Sequence, residues 1–269
     1  MHPFITICGD TVPTYLLCGV AGLAVSIFVA IRLLTRLHAL RESFGCMLMS
    51  VPVILLGGRA FSALSLAIDQ LVHTGAVELA SVLTKGGIVY WGGLIAYVAT
   101  VFLVCHVRKV ATRPVFDVLA VCIPVFHSIA RIGCYCAGCC YGIESDVFGL
   151  PYRTSSCEPI VPRIPVQLIE AAFESLLAME LFRRVNDRTQ TDAFESNRSS
   201  LIESYFASYA CFRFMIEFLR GDAIRGVYFG LSFSQYVSLI VLMVMTLRRH
   251  QRTRGHVAGI DSNRQCRSP

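Results

Sequence analysis

Charged and polar residues recur at helical spacing inside stretches that are otherwise hydrocarbon. His127 and Arg131 stand four residues apart and share one helical face. Gln167, Glu170 and Glu174 repeat at three and four residues, drawing one polar stripe along an apolar run, and Tyr209, Arg213 and Glu217 repeat at four. A fourth apolar run holds Gly57-Gly58-Arg59, where the glycines permit close helix approach but do not account for the arginine. A guanidinium in hydrocarbon costs at least ~2.5–3.5 kcal/mol on insertion scales, so it faces a cavity or pairs with a carboxylate. Arg213–Glu217 fits such an ion pair. Arginine is also permanently charged and grips phosphate bidentately. The chemistry implied is the handling of anions in lipid, such as phospholipid headgroups.

Other residues allow two readings. Tyr15 is an interfacial anchor or a hydroxyl lining a site. Lys85-Gly86-Gly87-Ile88-Val89-Tyr90-Trp91-Gly92-Gly93 is a re-entrant turn with belt aromatics, or a place where freed backbone N–H groups meet an anion or ester oxygen. Cys134, Cys136, Cys139 and Cys140 are followed by an external loop that contains Cys157, so a disulfide to Cys157 is one option. The cluster lacks a second Cys-x-x-Cys pair and a histidine at zinc spacing, so no metal is expected. Cys18, Cys105, Cys122 and Cys211 read as small apolar side chains.

The elements that must position these groups are membrane helices. Only 16% of residues are charged and mean hydropathy is +0.60, against about 25% charge in ordinary soluble domains. Apolar runs at about 13–32, 46–68, 87–105, 115–133, 164–182, 202–219 and 227–247 each approach the ~20 residues a bilayer requires. The fold class is therefore all-α, a polytopic bundle of about seven transmembrane helices. The formal charge of +6 follows the loops and gives no reason to expect nucleic acid. With the N-terminus outside, alternate loops and the tail hold 16 of the 24 Lys and Arg, which places the C-terminus in the cytoplasm. Residues 1–250 read as one transmembrane domain and 251–269 as a basic tail without fixed structure, and residues 183–200 read as a second polar, mobile segment. Met1-His2-Pro3-Phe4 lacks the basic start of a cleavable signal.

Taken in order, these motifs resemble the bacterial prolipoprotein diacylglyceryl transferase family. The family signature has the form Gly-Arg-x-Gly-Asn-Phe-x-Asn-x-Glu-x-x-Gly. Residues 130–142 meet it at Arg131, Gly133 and Gly142, with Tyr135 for the phenylalanine. Gly58-Arg59, Gly92-Gly93-Leu94-Ile95, Pro165-x-Gln167-Leu168-x-Glu170 and Tyr209-x-x-x-Arg213-x-x-x-Glu217-x-x-Arg220 follow the family's order. Trp91 stands where the family has histidine. Cys134 and Ala137 replace its two asparagines and Cys139 its glutamate.

The resemblance implies a seven-span enzyme of the bacterial inner membrane. It would move diacylglyceryl from phosphatidylglycerol to the lipobox cysteine thiol of a lipoprotein precursor and release glycerol phosphate. Its partners are that lipid, the precursor's signal segment and the bilayer, with no cofactor and no metal. Arg131 and Arg213 would stabilise headgroup and leaving group. Arg59, Tyr15, Gly92, Gly93, Gly133, Gly142, Gln167, Glu170, Tyr209 and Glu217 would line the substrate site. His127 is the candidate base in place of the missing histidine, with Glu170 and Glu217 behind it. The alternatives are a homologue with another acceptor, a non-catalytic lipid-binding or transport protein, and a thiol-redox membrane protein.

Overall fold

In the computed structural model, residues 3–7, 10–85, 87, 89–153, 159–190, 201–222 and 227–265 are described. A hairpin of β1 (Phe4–Ile7) and β2 (Asp10–Pro13) leads into α1 (Thr14–Arg36), which begins directly after Pro13. Next come α2 (Leu40–Met49) and α3 (Pro52–Thr74). They divide at Ser50-Val51, with Pro52 in the first turn of α3, where its missing N–H costs nothing. Gly75 ends α3 in the left-handed conformation. After α4 (Leu79–Lys85) come α5 (Tyr90–Val107) and α6 (Thr112–Ala137).

A second hairpin pairs β3 (Leu150–Tyr152) with β4 (Val161–Arg163), ahead of α7 (Val166–Gln190) and α8 (Leu201–Ile216). A single 3-10 turn (Glu217–Leu219) extends α8, and the hairpin β5 (Val227–Tyr228) and β6 (Leu231–Ser232) opens α9 (Phe233–Gln265). The molecule is mostly helical, and a helix lies over each expected apolar run. The three hairpins lie outside those helices, and the sequence reading did not contain them.

Among the described residues, four helical stretches are long and apolar enough to cross a membrane: Thr14–Arg36, Leu40–Thr74, Tyr90–Val107 and Thr112–Ala137. Two of the later helices fall short for visible reasons. α7 carries Glu170, Glu174, Glu180, Arg183 and Arg184, and α8 is only 16 residues long. The polar segment expected over 183–200 is in part helix. α7 continues to Gln190, with Arg184 donating to Glu180 at 2.8 Å and Arg36 of α1 donating to Asn186 at 3.0 Å; residues 191–200 lie outside the described residues. α9 likewise runs on to Gln265, through most of the stretch read as a tail.

α6 is the central element. Two-thirds of its apolar stretch, 67%, is buried inside the protein, against 22% for α1 and 33% for α5. It packs along both α1 and α7, while α3 runs along α5 and α8 along α9. Small residues set these distances. A Cβ at Gly22 would lie 3.2 Å from the Phe126 carbonyl, and Ser26 of α1 donates to the Cys122 carbonyl at 3.1 Å, two residues before Pro124 inside α6. Outward faces are apolar, with Leu16, Val20 and Phe28 on α1, Leu55 and Leu56 on α3, and Ile240 and Met243 on α9 exposed. Contiguous apolar surface of this kind belongs against lipid.

Candidate functional site

The polar stripes meet around Glu170. This carboxylate, on α7 and 2% exposed, receives groups from two other helices. Arg131 of α6 donates from Nη2 to Oε1 at 3.0 Å, and its Nε lies 2.9 Å from Oε2. Arg213 of α8 donates from Nη1 to Oε2 at 3.5 Å, and the Tyr209 hydroxyl donates to Oε1 at 3.0 Å. Both guanidinium groups are buried. Two cations from separate helices thus share one carboxylate. Arg213 also pairs with Glu217 at 2.7 Å, the i,i+4 contact expected from spacing, and donates from Nε to Ser234 of α9 at 3.0 Å. Arg220 lies 3.7 Å from the same Glu217 and donates to Asp222 at 2.9 Å.

His127 occupies the other end of this network. Arg131 Nε donates to His127 Nε2 at 3.1 Å, so that nitrogen is an acceptor and the ring proton sits on Nδ1. Nδ1 donates to Glu174 Oε1 at 2.8 Å. The Tyr90 ring stacks on the imidazole, with centroids 3.9 Å apart and planes at 12°. An imidazole oriented in this way and backed by a buried carboxylate can accept a proton at Nε2 once Arg131 turns away.

The other expected residues divide into two groups. Gln167 is buried beside the network and donates from Nε2 to the Cys139 carbonyl at 2.6 Å and to the Tyr152 hydroxyl at 2.9 Å. Gly133 faces α1, where a Cβ would lie 2.7 Å from Cys18 Cβ and 3.5 Å from Tyr15 Cα, so Tyr15 borders the α6 end of the site. Gly142 is threaded between neighbouring segments, and a Cβ there would meet the Ile164 and Leu219 carbonyls at 2.3 and 3.0 Å. Gly92 and Gly93 instead lie on the contact between α5 and α3. A Cβ on Gly92 would fall 2.4 Å from Phe61 Cβ and 2.5 Å from the Gly57 carbonyl, and one on Gly93 would fall 2.9 Å from the Ile54 carbonyl. Arg59 is exposed on α3. Spacing along one helix shows which residues share a face, not what that face meets.

Four participants were not singled out as site residues: Tyr90, Ser234, Arg220 and Glu174. Glu174 was visible in the polar stripe, and Arg220 in the motif that ends α8. Tyr90 had a signal in its place between the glycine pairs. Ser234 had none. Trp91 is buried against Tyr209, centroids 5.1 Å apart, and its indole N–H has no partner among the described residues.

At the end of α6, the thiols of Cys134, in its last turn, and of Cys139 and Cys140, just past it, draw together. Cys140 is held well below the ordinary thiol range by hydrogen bonds from the Cys134 and Cys139 thiols; burial opposes this, and the Arg131 and Arg220 charges assist it. Cys157, the expected disulfide partner, lies outside the described residues. An apolar cleft of about 480 Å³ opens where α1, α6 and α7 meet. Val29, Val125 and Met179 line it, as do Ser128 and Ser175, the residues following His127 and Glu174.

Comparison with known proteins gives a consistent result. Residues 3–248 match the family model described as prolipoprotein diacylglyceryl transferase. The chain is 30% identical over 160 residues to the phosphatidylglycerol–prolipoprotein diacylglyceryl transferase of Clostridium tetani, covering 59% of this chain and 61% of that protein. It is 28% identical over 179 residues to the protein of the same name from Bordetella avium, covering 63% and 65%. The chain thus spans about six-tenths of the length of the curated relatives it matches.

Proposed function

We propose, from the premise that this chain belongs to the prolipoprotein diacylglyceryl transferase family, that it moves diacylglyceryl from phosphatidylglycerol to the thiol of a lipoprotein precursor. The observation that carries this reading is the sharing of Glu170 by Arg131 and Arg213. A phosphate diester offers the same two guanidinium groups a tetrahedral anion in place of a planar one, and Arg131 and Arg213 move from the carboxylate to the headgroup.

The precursor's thiol gives its proton to His127 Nε2, which Arg131 has vacated, and Glu174 stabilises the imidazolium that forms. The sulfur attacks the glyceryl carbon, a carbon–sulfur bond forms, and the carbon–oxygen bond to phosphate breaks. Glycerol phosphate departs with its charge held by Arg131 and Arg213. Oriented donors in a dry site are worth several kcal/mol, about 2.7–4 for a single oxyanion contact. The apolar cleft beside Ser128 and Ser175 takes an acyl chain. Tyr15, Gln167, Tyr209 and Glu217 hold the surroundings, Gly133 and Gly142 permit the close approaches that shape them, and Gly92 and Gly93 fix α5 against α3. Arg59 meets lipid headgroups from its exposed position.

In this reading the chain crosses the inner membrane seven times, N-terminus outside and C-terminus in the cytoplasm. The three later crossings use α7, α8 and α9, whose polar groups turn inward.

The test is direct. Purified protein receives labelled phosphatidylglycerol and a lipobox peptide, with Arg131→Ala and Arg213→Ala alongside. Thioether product that falls at least about 10²-fold in either variant is expected. Wild-type protein that forms no thioether overturns the assignment. A second reading rests on Trp91, buried where the family has histidine, and on the cysteines at signature positions: the donor is kept and the acceptor differs. Arginine-dependent glycerol phosphate release without peptide modification would favour it.

A further inference from the structure

The three thiols at the end of α6, Cys134 within its last turn and Cys139 and Cys140 past it, are brought together by the turn that ends that helix. Gly138 ends α6 with φ of 78°, its N–H donating to the Tyr135 carbonyl, and the Cys139 N–H donates to the Cys134 carbonyl at 3.2 Å. Cys140 follows with φ of 57°, a left-handed conformation that favours glycine, here adopted by a residue with a side chain to aim. The Cys139 carbonyl is fixed from α7 by Gln167 and from β3 by the Tyr152 hydroxyl at 3.3 Å. The chain therefore folds Cys139 and Cys140 back onto Cys134. Along the sequence the cysteines lack the second Cys-x-x-Cys pair of a zinc site, and the turn supplies what the spacing does not.

We infer that Cys134, Cys139 and Cys140 form a trigonal site for a soft d10 cation of the Cu(I) class. The three Sγ atoms lie within 4.8 Å of one another. Metal–sulfur bonds of about 2.3 Å to a central ion place three sulfurs about 4.0 Å apart, so closing on an ion takes movements below about 1 Å. The cluster contains sulfur alone, without nitrogen or carboxylate ligands among the described residues, and such a donor set selects thiophilic ions over Mg²⁺ or Ca²⁺. Each thiol releases its proton as its bond to the ion forms. The resulting negative charge lies near the Arg131 and Arg220 guanidinium groups. Cys139 is exposed and Cys134 buried, so the ion arrives past Cys139.

The full chain, purified and reduced under anaerobic conditions in detergent, is offered Cu(I) as its bicinchoninate complex. One equivalent is expected to pass to the protein, seen as loss of the chelator's colour. Cys139→Ser and Cys140→Ser should each weaken that transfer at least ten-fold, whereas Cys136→Ser, outside the cluster, should leave it intact. Cys139 is exposed, so its substitution tests the site even if Cys140→Ser misfolds. Bound Cu(I) should also shield Cys134, Cys139 and Cys140 from N-ethylmaleimide, read by mass spectrometry, while exposed Cys211 stays reactive. Equal transfer to wild type and Cys139→Ser, or no transfer, overturns the site. So does a disulfide between two cluster thiols that persists in the reduced protein. None of these readouts depends on transferase turnover.

Discussion

His127 is held from both sides, and each contact sets a different property. Arg131 occupies Nε2 at 3.1 Å, and Glu174 accepts from Nδ1 at 2.8 Å. Glu174→Gln keeps an acceptor for Nδ1 but removes the charge that would stabilise an imidazolium. The expected result is a kcat about 10²-fold lower with KM for the lipid donor little changed, since proton transfer and not binding is impaired. Steady-state kinetics over a range of donor mole fractions would read the split; a rise in KM alone would assign Glu174 to binding. Glu170 is different, because two guanidinium groups depend on it. Glu170→Ala leaves both buried cations short of a partner and should cost about 3–5 kcal/mol, read as a lower unfolding midpoint in detergent. These residues were legible from spacing, because a charge is so costly in hydrocarbon that three- and four-residue repeats of polar groups must face something. The identity of that something was not legible. Nothing along α6 or α7 alone states that His127 meets Glu174, or that Arg131 and Arg213 meet one carboxylate.

At the scale of elements, the glycines decide how near two helices come. α3 and α5 touch backbone to side chain at Gly57 and Gly92, and a Cβ on Gly92 would lie within 2.6 Å of Phe61 and of the Gly57 carbonyl. Gly92→Val should therefore separate the helices and destabilise the protein by about 1–3 kcal/mol. Thermal unfolding in detergent checks this, and an unchanged midpoint would show that α3 and α5 do not meet there. Helix positions followed from apolar runs of bilayer length, and that signal is strong. Glycine function did not follow, because Gly-Gly before an apolar run signals an exposed anion cradle and a tight helix contact equally well. The length of α7 was also hidden. Arg183 and Arg184 end its apolar face, yet the i,i+4 pair with Glu180 and the bond from Arg36 accompany its continuation to Gln190.

For the whole molecule, the distribution of positive charge makes the strongest prediction. A phosphatase reporter fused after residue 250 should be inactive and a fluorescent protein at the same place bright, as for a cytoplasmic end; the reverse pattern would invert the topology. Composition placed the chain in lipid, but it could not separate spans that satisfy hydropathy from those that carry the site. α7 is the clearest case: Glu170 and Glu174 lower its hydropathy because it supplies the carboxylates at the centre of the network.

The cleft between α1, α6 and α7 opens among helices whose outer faces carry exposed Leu16, Val20, Leu176 and Met179. A donor arriving through such a gap never enters water, so its effective concentration is a mole fraction within the two-dimensional phase. Diluting phosphatidylglycerol with inert detergent, at constant bulk amount, should slow the reaction as surely as withholding it.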